Sequence, residues 1–126
     1  MRVLVLEDGQ VMAWVVGHLS PPGTEILTFD WFGDAGRMIE RDPPDAVVVS
    51  LTAAHLPWRE FQRLCASRTP PVPVLYASAE FANAAEAGLE PVEGYADVMR
   101  QPASKPEIEA ALKRLYSASG EHRRAG

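Results

Sequence analysis

Two segments of this chain are apolar at every position, Val3–Leu6 and Ala46–Val49. A strand with one wet face alternates apolar and polar residues. A strand apolar on both faces needs cover on both, which is the setting of a central strand in a parallel sheet. Parallel strands in turn require crossover connections, usually helices. Helical stripes come after these runs. Val11, Val15, Val16 and Leu19 recur at helical spacing after the first run, and Ser20-Pro21-Pro22-Gly23 stops that helix. Residues 24–29 read as a second strand, followed by the stripe Phe32, Ala35, Met38 and Ile39 with Asp30 as its N-cap.

The same alternation continues to the end. Pro43 and Pro44 lead into a third strand that closes with Ser50 and Leu51. Trp58, Phe61, Leu64 and Cys65 share one face of a helix over 57–67, and a fourth strand lies within 70–79. A short alanine-rich helix is expected over 80–88, ended by Gly88, and a fifth strand within 96–102. The helix over 104–117 has Ser104 and Glu107 at capping-box spacing and the stripe Ile108, Ala111, Leu112, Leu115 and Tyr116. Strand and helix thus alternate five times. This predicts a three-layer α/β sandwich: a five-stranded parallel sheet with helices on both faces and right-handed crossovers.

Length and charge narrow the classes. With 126 residues the natural expectation is one domain, here 1–117, with a flexible polar tail over 118–126. The net charge of −5 argues against nucleic acid or an anionic membrane as the main partner. Cys65 is the sole cysteine, so an internal disulfide and a thiolate zinc cluster are both excluded. It lies on an apolar stripe and is expected buried and inert. No apolar stretch nears the roughly 20 residues that span a bilayer, the N-terminus does not read as a signal peptide, and a cytoplasmic setting is expected.

In sheets of this kind ligands bind beyond the carboxyl ends of the strands, where the strand order switches. Four strands end there in notable residues: Glu7 and Asp8, Ser50, Ser78, and Gln101 before Pro102. Ser50 could be a nucleophile, a modified serine or a hydroxyl satisfying local backbone groups. No Ser-His-Asp arrangement is evident: His18 falls in the first helix, His55 in the loop after the third strand and His122 in the tail. Trp14, Trp31 and Trp58 read as core or core-edge residues, an exposed tryptophan being the mark of a partner surface. No glycine-rich phosphate loop follows the first strand.

These strand ends, in this order, resemble those of bacterial response-regulator receiver domains over residues 1–117, which implies a CheY-like, flavodoxin-like fold. "VLVLEDG" is similar to the family's opening strand with its magnesium-holding acidic pair. "PDAVVVSL" is similar to the strand that presents the phosphoryl-accepting aspartate, with Ser50 in its place. "PVLYASA" supplies Ser78 and Ala79 where the family has Thr or Ser followed by Ala. "DVMRQP" carries Gln101 where the family has lysine, and Val98 where an aromatic is common.

The resemblance implies a pseudo-receiver acting in two-component or phosphorelay signalling. An aspartate accepts a phosphoryl group because its carboxylate is ionised at neutral pH, whereas a serine hydroxyl is neutral and needs a base. With one carboxylate and one cation both absent the pocket stays balanced in charge. Ser50, Ser78 and Gln101 then form a degenerate phosphoacceptor site. Glu7 and Asp8 remain as weak candidates for a metal, no cofactor is expected and no catalytic residue is assigned. The family's usual face of fourth helix, fifth strand and fifth helix includes Val98, Arg100, Glu109 and Lys113. Action by protein–protein contact is expected, with a histidine kinase, another regulator or an output protein as partner and a homodimer as a further arrangement. The alternatives are a small-ligand sensor using the emptied pocket, a receiver regulated by modification of Ser50, and an enzyme of flavodoxin-like architecture.

Overall fold

The computed structural model describes the backbone of residues 1–7, 9, 11–51, 57–79, 86 and 95–125, and the side chains of these except Leu51 and 121–125. The elements are β1 (Arg2–Leu6), α1 (Val11–Leu19), β2 (Glu25–Phe29), α2 (Phe32–Arg41), β3 (Ala46–Leu51), α3 (Trp58–Ala66), β4 (Val74–Ser78), β5 (Ala96–Arg100) and α4 (Lys105–Ala125). The helix expected over 80–88 lies outside the described residues. All pairings are parallel, and the strand order is β2-β1-β3-β4-β5.

Two apolar layers arise from the pleat, because successive side chains point to opposite faces. Leu4, Leu6, Val47, Val49, Val74, Tyr76 and Val98 join Ala35 and Ile39 of α2 and Phe61 and Cys65 of α3 in one cluster. Val3, Val5, Ala46, Val48, Leu75, Ala77 and Met99 join Met12 and Val16 of α1 and Ala111, Leu112 and Leu115 of α4 in the other. β1 and β3 are buried on both faces because their fully apolar runs sit in the middle of the sheet, as the sequence requires.

The helix ends show where local chemistry decides. The Ser104–Glu107 box forms: the Glu107 amide donates to Ser104 Oγ at 3.3 Å, and the Ser104 amide donates to Glu107 Oε1 at 3.3 Å. α2 corrects the sequence reading, since Trp31 rather than Asp30 occupies the N-cap position and no side chain caps it. Asp30 comes one residue too early. The turn before β2 needs Gly23, whose φ of 86° lies in the left-handed region. α4 continues to Ala125 where the sequence predicts a fraying tail from residue 118. The physical reason is burial: Ala118 and Ser119 are 7% and 6% exposed. Ser119 lines a cleft with Pro43, Pro44, Pro70 and Pro71 at the amino-terminal end of the sheet.

α1 is rotated relative to its predicted stripe. Met12 and Val16 are its buried residues, whereas Val11 is 75% exposed. Val11, Trp14 and His18 form a second stripe at i, i+3 and i+7 spacing, and the Trp14 and His18 rings stack with centroids 5.3 Å apart.

Candidate functional site

The strand order reverses between β1 and β3, and the carboxyl ends of those strands carry Glu7 and Ser50. The register pairs Leu6 with Val49, so the next positions along the two strands, Glu7 and Ser50, lie side by side. Ser50 pairs with Ala77 and Leu51 with Ser78. Ser78 pairs with Arg100, and the Gln101 amide donates to the Ser78 carbonyl at 2.7 Å. The four strand ends therefore form one continuous edge: Glu7, Ser50, Ser78, Gln101.

Along that edge the side chains part company. Ser50 continues the Ala46 and Val48 face, on the side of α1 and α4, while Ser78 continues the Val74 and Tyr76 face, on the side of α2 and α3. Their Cβ atoms thus point to opposite faces of the sheet. Ser78 is 2% exposed, and Ser50 and Gln101 are half-buried. Asp8 and His55 lie outside the described residues.

Glu7 has a definite structural role. Its two carboxylate oxygens accept from the backbone amides of the first turn of α1: Met12 N–H to Oε1 at 3.0 Å and Ala13 N–H to Oε2 at 2.7 Å. These amides have no partner within the helix, and a carboxylate answers both their hydrogen-bonding need and the positive end of the helix dipole. The Glu7 amide in turn donates to the Phe29 carbonyl at 3.0 Å, which fixes where β1 ends. The role expected of Glu7 from the sequence, a weak metal ligand, does not include this cap. The signal for it is an acid placed a few residues before an amphipathic stretch.

Behind the edge, on the α2 and α3 side, β4 is tied to α3. Tyr76 is fully buried, its hydroxyl donating to Gln62 Oε1 at 2.9 Å, and Trp58 meets its ring edge-on at 6.3 Å. Burial pushes the Tyr76 phenol well above its ordinary range. Cys65 in the same layer is fully buried, and burial raises its thiol from 9.0 to about 12, with Arg68 pulling weakly the other way. That matches the inert thiol expected from the sequence.

The expected contact face is corrected at one position. Val98 is 5% exposed and belongs to the core beside Tyr76, because the alternation of β5 turns it inward. Arg100, Glu109 and Lys113 are exposed. The larger apolar exposure is elsewhere: Val11 at 75%, Trp14 at 69% and Trp31 at 57%. The Trp31 ring covers Gly33 and has the Arg37 guanidinium 5.8 Å from its centroid. Trp14 and Trp31 are thus surface residues, not the core residues that tryptophan usually makes, while Trp58 packs against the core as expected. Trp14, His18, Lys105 and Ile108 line a groove of about 340 Å³ between α1 and α4.

No protein-family model and no curated protein matches this chain. Solved structures do. The signal receiver domain of a Luxo repressor protein from Vibrio parahaemolyticus superposes with a TM-score of 0.76 at 17% identity, covering 98% of this chain and 95% of that one. The response regulatory domain of protein mrkE from Klebsiella pneumoniae gives 0.76 at 20% identity over 96% and 99%. The receiver domain of a sensor histidine kinase from Pseudomonas aeruginosa, solved with magnesium coordinated in its active-site cleft, gives 0.70 at 20% identity over 92% and 97%. Five parallel strands in the order β2-β1-β3-β4-β5, clothed by helices on both faces, are the flavodoxin-like α/β fold in its CheY-like form, and this chain has that fold.

Proposed function

We propose that this chain is a pseudo-receiver: a receiver-type domain of two-component or phosphorelay signalling that acts by contact with another protein and not by accepting a phosphoryl group. The observation that carries the reading is Ser50 at the carboxyl end of β3, beside the switch point of the sheet. A neutral hydroxyl there offers no ionised nucleophile, and Gln101 at the end of β5 offers no cation to steady a transferred phosphoryl group. A divalent cation fits poorly with the described residues. Both Glu7 oxygens are engaged by α1 amides, and Ser50 supplies only a neutral oxygen. The reading therefore includes no cofactor, weak or no magnesium binding, and no catalysis.

Contact surfaces remain as the means of action. Exposed Val11 and Trp14 support one on α1, since large apolar side chains held in water mark interaction sites. The partner class is a signalling protein: a histidine kinase, another regulator or an output protein. No described helix is long and apolar enough to cross a membrane.

The test is incubation with magnesium and a small phosphodonor, followed by intact-mass analysis with and without acid treatment. No added phosphate is expected. An acid-labile adduct on a carboxylate would overturn the reading, and an acid-stable one on Ser50 would replace it with control by serine modification.

A further inference from the structure

We infer that Glu7 is the positioning residue for the start of α1: its carboxylate holds the first turn directly, so the order of that turn does not depend on any divalent cation. The inference rests on the fold and on the Glu7 contacts, and goes beyond the proposed function by assigning the acid a positioning role of its own. An acid at the end of β1 can face outward to a cation or inward to the adjoining helix. Here the choice is visible. One oxygen meets the Met12 amide at 3.0 Å and the other meets the Ala13 amide at 2.7 Å. Hydrogen bonds from amides to an ionised acceptor are the stronger kind, and both lie within the ordinary bonding range. A magnesium ion recruiting this carboxylate would draw electron density from the oxygens that the amides already engage and would have to give up its own water, which it does reluctantly.

The cap also acts on the residues beside it. Met12 is packed into the sheet, while Val11 and Trp14 on either side of the capped pair face solvent. The same two bonds that start the helix therefore fix the angle at which Val11 and Trp14 are displayed. Val11 supplies no side-chain acceptor, and no acid occurs within the first turn of α1 itself, so the cap comes from outside the helix.

The experiment is amide hydrogen exchange at Met12 and Ala13, followed by NMR, in the wild type, Glu7→Ala, Glu7→Gln and Glu107→Ala. In the wild type, magnesium chloride is expected to leave both rates unchanged. Glu7→Ala is expected to speed both by roughly 5–30-fold, the range that corresponds to losing a helix cap. Glu7→Gln keeps one acceptor oxygen and should fall between, which covers the case in which the alanine variant folds poorly. Glu107→Ala removes the acid of the cap on α4 and should leave α1 unaffected. Magnesium-dependent protection or exposure of these amides in the wild type would overturn the inference, as would unchanged rates in both Glu7 variants. The phosphodonor experiment has independent outcomes. Phosphate on a carboxylate with a magnesium-insensitive α1 would sink the pseudo-receiver reading and leave this one standing; no phosphate with a magnesium-sensitive α1 would do the reverse.

Discussion

Cys65 illustrates how a single side chain reports on packing. The thiol is fully buried between α3 and the sheet, and burial raises it to about 12. The folded state favours the neutral form. In the unfolded chain the thiol ionises near its ordinary 9.0, so its contribution to stability is whole below that pH and is lost as pH rises toward about 12. Two measurements check this. Near pH 8, where an ordinary cysteine is partly thiolate, a disulfide reagent should leave the native protein unmodified and react fully once urea unfolds it. Cys65→Ala should flatten part of the fall in urea midpoint at alkaline pH, with Tyr76, Tyr95 and Tyr116 contributing to the rest through their own raised phenols. Rapid modification of the native thiol would contradict the burial.

At the level of elements, the helices differ in what starts them. α4 is capped by Ser104 and Glu107, a local pair whose spacing is plain in the sequence. α1 uses Glu7 from the preceding strand end, and α2 has no side-chain cap at all. Ser104→Ala should therefore cost about 1 kcal/mol, read by chemical denaturation, with the loss confined to the start of α4. A null result would mean that packing of Ile108, Ala111 and Leu112 alone carries that end of the helix. The strands were legible throughout, because short apolar runs such as Val3–Leu6, bounded by polar residues, suit a covered sheet. The facing of α1 was not. Val11 and Met12 are both apolar, and helical spacing alone allows either to be the inner one. The choice falls to Met12, and Val11 is left at 75% exposure.

For the molecule as a whole, the C-terminal helix closes one side of the sandwich and reaches past its lower edge. Leu115 is fully buried against the sheet, Ala118 and Ser119 are buried beyond it, and Ser119 lies by the prolines that precede β3 and β4. Ending the chain after Ser117 should lower stability by about 1–2 kcal/mol, the burial of one or two small side chains with their turn of helix. Thermal or urea unfolding of the shortened chain tests this, and an unchanged midpoint would return residues 118–126 to the frayed tail that their small polar composition suggests. The candidate site was partly readable. Glu7, Ser50, Ser78 and Gln101 were each visible as strand-end residues, and the fold does set them along one edge. Which of them share a face was not visible, since that depends on the pairing register between β3 and β4.

The sequence by itself determined the alternation of strand and helix over the described residues, the burial of β1 and β3, the buried position of Cys65 and the box that starts α4. Each comes from the chemistry of residues near one another in the chain. Tertiary structure alone decided that Glu7 turns inward to α1, that Val98 is core while Trp14 and Trp31 are surface, and that the last helix continues past Ser117. The Glu7 partners are only five and six residues away, but which way its carboxylate turns, like the other outcomes, follows from pairing register and helix rotation. Local periodicity leaves both free until the layers pack.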